Sequence, residues 1–91
     1  MVSEKIVIRI SSGLHLRPVG VLCNRAIEFK STITMKSGEI SVNAKSVLGV
    51  LSAGVKYGDE IEIICDGEDE KEALHTLSMI IRNGLGDEIV K

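Results

Sequence analysis

Aromatic residues are nearly absent from this chain: Phe29 and Tyr57 are the whole complement, and there is no tryptophan. Single-stranded nucleic acid is held largely by base stacking on aromatic rings, so the composition argues against such a partner. Positive charge is also lacking. A net charge of −2 offers no basic face for duplex DNA. Only two cysteines occur, Cys23 and Cys65, with neither CxxC nor zinc-site spacing. Both read as reduced, buried, small apolar residues, and a lone disulfide between them would be unusual in a reducing compartment. No Cys/His/carboxylate set has ligand spacing, so neither a metal nor a cofactor is expected. No apolar run approaches the roughly 20 residues that a membrane helix needs. The opening MVSEKIVIRI lacks a signal-peptide layout. The expectation is a cytoplasmic protein that neither inserts into membranes nor binds nucleic acid directly.

What is present is ordinary for a folded protein: 91 residues, 44% hydrophobic and 26% charged, read as one domain over 1–91. Residues 4–10 alternate, with Ile6, Ile8 and Ile10 on one face, and predict a strand. After Ser11–Ser12–Gly13 the period changes. Val19, Leu22, Cys23, Ala26 and Ile27 form one helical stripe from Leu16 onward, with the single proline, Pro18, in its first turn. Residues 32–36 and 39–43 alternate about Ser37–Gly38 and predict a hairpin. A short helix is expected between Ser46, a natural N-cap, and Gly54, a C-terminal glycine cap. Residues 60–66 predict a fourth strand. Asp69 and Glu72 have capping-box spacing at the start of a last helix, whose stripe of Ala73, Leu74, Leu77, Ile80 and Ile81 stops at Gly84. His75 lies opposite that stripe, in line with Glu72, Ser78 and Arg82, and reads as solvated. The order βαββαβα predicts an α+β fold of two layers, with helices on one face of a mostly antiparallel sheet.

His15 falls at the start of the first helix. Such a start presents unpaired amide hydrogens and the positive end of the helix dipole, which favour anions. Arg17 adds a planar cationic fork suited to phosphate oxygens. A neutral imidazole nitrogen is a competent nucleophile. Together these groups suit a site that accepts, holds and releases a phosphoryl group. Taken singly they are unremarkable: His15 a solvated loop residue, Arg17 a surface cation, Gly13 a turn glycine. The physical chemistry permits the site without selecting it.

Gly13–Leu14–His15–Leu16–Arg17–Pro18 resembles the G-[LI]-H-x-R-P signature of HPr, the phosphocarrier family of the bacterial phosphoenolpyruvate-dependent sugar phosphotransferase system. Asn43–Ala44–Lys45–Ser46–Val47–Leu48–Gly49–Val50–Leu51 resembles the family's regulatory serine segment. Length, element order and the turn Lys56–Tyr57–Gly58–Asp59–Glu60 also agree, so the likeness covers essentially the whole chain. It implies a two-layer open-faced β-sandwich, with a four-stranded sheet of order 1-4-2-3 and three helices on one face. It implies a relay protein rather than an enzyme in its own right, and a monomer. His15 would accept a phosphoryl group on Nδ1 from enzyme I and pass it to the IIA domain of a sugar permease. Arg17 and the amides of Leu16 and Arg17 would contact the phosphoryl oxygens, with Ser12 helping to orient the ring. Leu16 stands where the family most often has alanine, which puts bulk beside the acceptor. The tail GDEIVK extends past the family's usual ending, and no function is assigned to it.

Ser46 reads as a helix cap, and the resemblance adds a regulatory role. An HPr serine kinase would phosphorylate it, and the product would bind a catabolite-control repressor. Val47, Leu48 and Leu51 have a spacing that usually means core, yet a two-turn helix has no room to bury every apolar residue. The resemblance implies that, with Leu14, they form an exposed docking patch beside His15, with Val50 in the core. Two other functions compete. A regulatory adaptor acting through Ser46 with little phosphotransfer would have no need of His15 and Arg17. A small enzyme using His15 as a general base needs a pocket and an orienting carboxylate, and the sequence around His15 supplies neither.

Overall fold

In the computed structural model, residues 1–90 are described; Lys91, the end of the expected domain, lies outside the described residues. The chain folds as β1 (Val2–Val7), α1 (Leu16–Ala26), β2 (Thr32–Ser37), β3 (Ile40–Asn43), α2 (Val47–Ser52), β4 (Glu60–Asp66) and α3 (Glu70–Arg82). The sheet is antiparallel throughout, in the order β1-β4-β2-β3, as expected. Its register places Ile6 opposite Ile61, Cys65 opposite Ile33 and Ile63 opposite Met35. These six side chains are buried and face Val19, Leu22, Ala26, Ala73, Leu77 and Ile81 in one core. On the other face Glu62 lies opposite both Lys5 and Lys36, so opposite charges meet where water has access. Alternation along the strands thus decides which face the helices cover. No helix among the described residues is long and apolar enough to cross a membrane.

Several local expectations need correction. β1 ends at Val7 rather than residue 10, although Ile8 and Ile10 stay fully buried. Its partner β4 begins at Glu60, so beyond Val7 the chain pairs with a loop instead. Ile8 donates to the carbonyl of Asp59 (2.8 Å) and accepts from Gly58 (2.8 Å). Ile27 is 59% exposed because α1 ends at Ala26 and the last position of the stripe turns outward. Ser78 is buried rather than lying in an exposed row with His75.

The capping box at α3 does not form. Asp69 is the N-cap residue by its carbonyl, which accepts from Ala73 N–H (2.9 Å), but its carboxylate makes no capping bond. That carboxylate instead accepts from the amides of Lys30 (2.8 Å) and Ser31 (2.9 Å) and from the Ser31 hydroxyl. The turn before β2, where Ser31 is buried, has donors with no ladder partner, and it outcompetes the helix for the acid. These bonds, the Ser31 hydroxyl first, hold the Asp69 carboxyl below the usual range. Both cysteines are free and buried, and burial with the nearby acids pushes the Cys65 thiol up to about 11.

Candidate functional site

The first site residues are placed by a glycine. Gly13 has φ +71°, and a Cβ there would lie 2.8 Å from the carbonyl oxygen of Val55. Only glycine lets the chain turn and pass this close to the Val55–Tyr57 segment. The turn is closed by Gly13 N–H to Ile10 (2.8 Å), and Leu14 N–H donates to Val55 (3.0 Å). Leu14 is then drawn into the core at 5% exposure, so it is not part of an exposed docking patch. Its side chain anchors the segment that delivers His15.

His15 is the N-cap of α1, with extended backbone (φ −97°, ψ −169°) and no capping bond from its side chain. Its carbonyl starts the helix by accepting from Val19 N–H (3.0 Å). Pro18, third in the helix, costs no hydrogen bond at that position. The imidazole is therefore released outward, half-exposed, beside the first-turn amides of Leu16 and Arg17. Those amides have no backbone partner among the described residues.

A carboxylate completes the site. Asp87, from the tail beyond α3, approaches His15 Nε2 (2.8 Å), Arg17 Nη1 (3.2 Å) and, at the limit of a hydrogen bond, Ser12 Oγ (3.5 Å). The His15 bond, followed by that of Arg17, holds the Asp87 carboxyl below its usual range. Nδ1 has no hydrogen-bond partner among the described residues. Ser12 touches the acid and not the ring, which differs from the expectation. The expected lack of an orienting carboxylate is likewise overturned. Sequence reasoning missed Asp87 because it lies 72 residues from His15. The one available signal was an acidic residue in the tail that follows Gly84.

The apolar surface next to the site comes from two helices that pack together. Leu48 on α2 is 80% exposed and Leu16 on α1 is 66% exposed. Val47 is at the border, Leu51 is partly buried against the core, and Val50 is fully buried. Leu48 and Leu16 are thus the most exposed apolar side chains of these two helices. Ser46 caps α2, its hydroxyl accepting from Gly49 N–H (3.1 Å).

Fold and site together define a two-layer domain that presents a single oriented histidine, flanked by an arginine, at a helix start. The family model described as "PTS HPr component phosphorylation site" matches residues 2–83. The HPr-like protein Crh of Bacillus subtilis is 37% identical over 82 residues, spanning 90% of this chain and 96% of its own. The phosphocarrier protein HPr of Treponema pallidum is 32% identical over 88 residues, spanning 97% and 100%. The solved HPr-C-His of Thermoanaerobacter tengcongensis superposes with a TM-score of 0.93 at 35% identity, covering 98% of this chain and all of the other. The chain belongs to the HPr family of phosphotransferase-system phosphocarriers.

Proposed function

We propose that this chain is a working phosphocarrier, cytoplasmic and monomeric, that receives a phosphoryl group from enzyme I on His15 and delivers it to a IIA domain of a sugar permease. The observation that carries the reading is the convergence at one helix start of a half-exposed imidazole with its Nε2 engaged by Asp87, an arginine and partnerless amides. The Nδ1 lone pair attacks phosphorus, and the N–P bond forms as the bond to the donor breaks. Arg17 and the amides of Leu16 and Arg17 offset charge on the phosphoryl oxygens during the exchange. The donor is a protein partner, for which a half-exposed imidazole is within reach. Leu16 and Leu48 give that partner an apolar footing.

A regulatory reading is supported by a separate observation. Ser46 sits at the border of the same apolar surface, and a relative is the HPr-like protein Crh. Phosphorylation of Ser46 by an HPr serine kinase would place about −1.5 to −2 charges beside Leu48. Docking of an acidic enzyme I surface would weaken, and a catabolite-control repressor with a basic pocket would gain charge-assisted bonds. The deciding experiment is incubation with phosphoenolpyruvate and enzyme I, followed by intact mass. One acid-labile phosphate per chain is expected. Full retention of the starting mass, with the enzyme I shown to be active on another HPr, leaves the adaptor reading in its place.

A further inference from the structure

The segment after α3 is built to aim Asp87. α3 closes with two bonds, Gly84 N–H to Ile81 (3.1 Å) and Leu85 N–H to Ile80 (3.0 Å), the pattern of a glycine-terminated helix. Gly84 has φ +93°, and a Cβ there would lie 2.4 Å from the Asp87 carbonyl oxygen. Leu85 adopts φ +50° and plugs into the core at 2% exposure. On the far side of Asp87 the chain is clipped to the strand-like stretch before His15. Ser11 N–H donates to Glu88 (3.1 Å), Ile10 and Ile89 form an antiparallel bridge, and Val90 N–H donates to Arg9 (2.7 Å). Asp87 is therefore held from both ends, and its side chain is only 15% exposed although it belongs to a surface tail.

We propose that Asp87 is a positioning residue for His15, selecting the tautomer in which Nε2 carries the hydrogen and Nδ1 presents its lone pair. A neutral imidazole has one N–H, and a carboxylate is acceptor-only, so a bond at Nε2 requires the hydrogen to be there. The carboxylate also fixes the ring about its χ torsions and keeps the Arg17 guanidinium beside it. The arrangement follows the same logic by which a buried acid sets tautomer and orientation of a histidine in other active sites. When a phosphoryl group bonds to Nδ1, the Nε2 hydrogen stays with the ring, so the Asp87–His15 bond survives. The Arg17 bond is the one surrendered to the phosphoryl oxygens.

The nitrogen choice in this proposal rests on the phosphocarrier reading, but its test does not need a phosphoryl donor. The ring nitrogens of His15 are observed by long-range ¹⁵N NMR at about pH 8.5, above the ordinary histidine range. In the parent protein Nδ1 should show the shift of a bare nitrogen and Nε2 that of a protonated one. In Asp87→Ala both shifts should move toward each other as the tautomers mix, while His75 signals stay in place. Asp87→Glu, which keeps the acceptor, should restore part of the separation. Backbone shifts confined to the site would establish that Asp87→Ala remains folded. Unchanged His15 ring shifts in a folded Asp87→Ala protein overturn the proposal, and leave the carrier reading intact if that variant still takes the phosphate. With enzyme I, labelling of Asp87→Ala should slow by about 10-fold, the loss of one hydrogen bond to a charged group. Faster labelling would also overturn the proposal, because it would make the carboxylate an obstacle in the phosphoryl position.

Discussion

The starts of α1 and α2 treat their exposed backbone donors in opposite ways. At α2, Ser46 turns its hydroxyl inward to Gly49 N–H and closes the helix end with its own side chain. At α1, His15 makes no such bond, and its ring points away from the helix toward Asp87. One start is self-satisfied and bordered by apolar surface. The other leaves its amides open and gathers an acid, a cation and an imidazole. The difference shows how one local device, a helix N-terminus, becomes either a structural cap or a reactive site. What decides is whether the capping residue reaches back to the helix or is engaged by groups from elsewhere.

The largest expected separation of the two starts comes from His15→Ala. It should abolish the acid-labile phosphate entirely, with the fold preserved because the side chain is exposed, whereas Ser46→Ala and His75→Ala should both retain it. Intact mass and thermal melts read both effects. Labelling retained in His15→Ala would assign the acceptor elsewhere.

Arg17 comes next. Arg17→Ala should slow transfer by about 10–100-fold, the range for one hydrogen bond to a charged group. Arg17→Lys should fall between, since it keeps charge and loses the fork. Stability should change by less than about 1 kcal/mol, because the guanidinium is exposed and its pair with Asp87 is screened. Stopped-time labelling with enzyme I measures the rates. Equal rates in parent, Lys and Ala proteins would remove Arg17 from the transfer step.

Ser46 should show the reverse balance of stability and rate. Ser46→Ala should cost about 1 kcal/mol for the lost cap yet label normally. Ser46→Asp should slow labelling by several-fold at low salt, with the difference shrinking as ionic strength shortens the reach of the charge. If all three proteins label at one rate in low salt, Ser46 is a cap and nothing more.

The smallest effect is acid sensitivity, carried by Asp87 at the start of α1 and by three acids remote from both starts. The native carboxyls of Glu4, Asp69, Glu70 and Asp87 are all held below their ordinary values. The folded chain then binds fewer protons than the unfolded one across that interval, so stability rises with pH there. The contribution is complete above the ordinary carboxylate range, 3.8 for aspartate and 4.5 for glutamate, and is lost as pH falls through the lowered native values. Urea midpoints between neutral and acid pH should therefore fall less steeply for Asp69→Asn than for the parent. Parallel curves would show that the Ser31 turn does not depend on the charge.

Element order and inward faces were legible in the sequence because both depend on local periodicity. The alternation of Ile61, Ile63 and Cys65 and the stripe from Val19 to Ala26 each specify one buried face whatever lies opposite. His15 at a helix start, with Ser46 as a cap and Gly54 as a stop, followed in the same way from neighbours within a few residues. Other assignments depended on competition between distant groups. Asp69 had the spacing for a capping box, but unpaired donors at Lys30 and Ser31 claimed its carboxylate. Leu14 looked like its exposed neighbours until the Gly13 turn carried it inward. The acid that touches the imidazole was beyond any local reading. The sequence by itself determined a histidine with an arginine at the start of an amphipathic helix, since spacing along one helix is a local property. Only the tertiary structure decided which ring nitrogen is engaged by a carboxylate. That depends on a turn at Gly84 and a bridge between Ile10 and Ile89, which bring Asp87 to His15 across a sequence separation of 72.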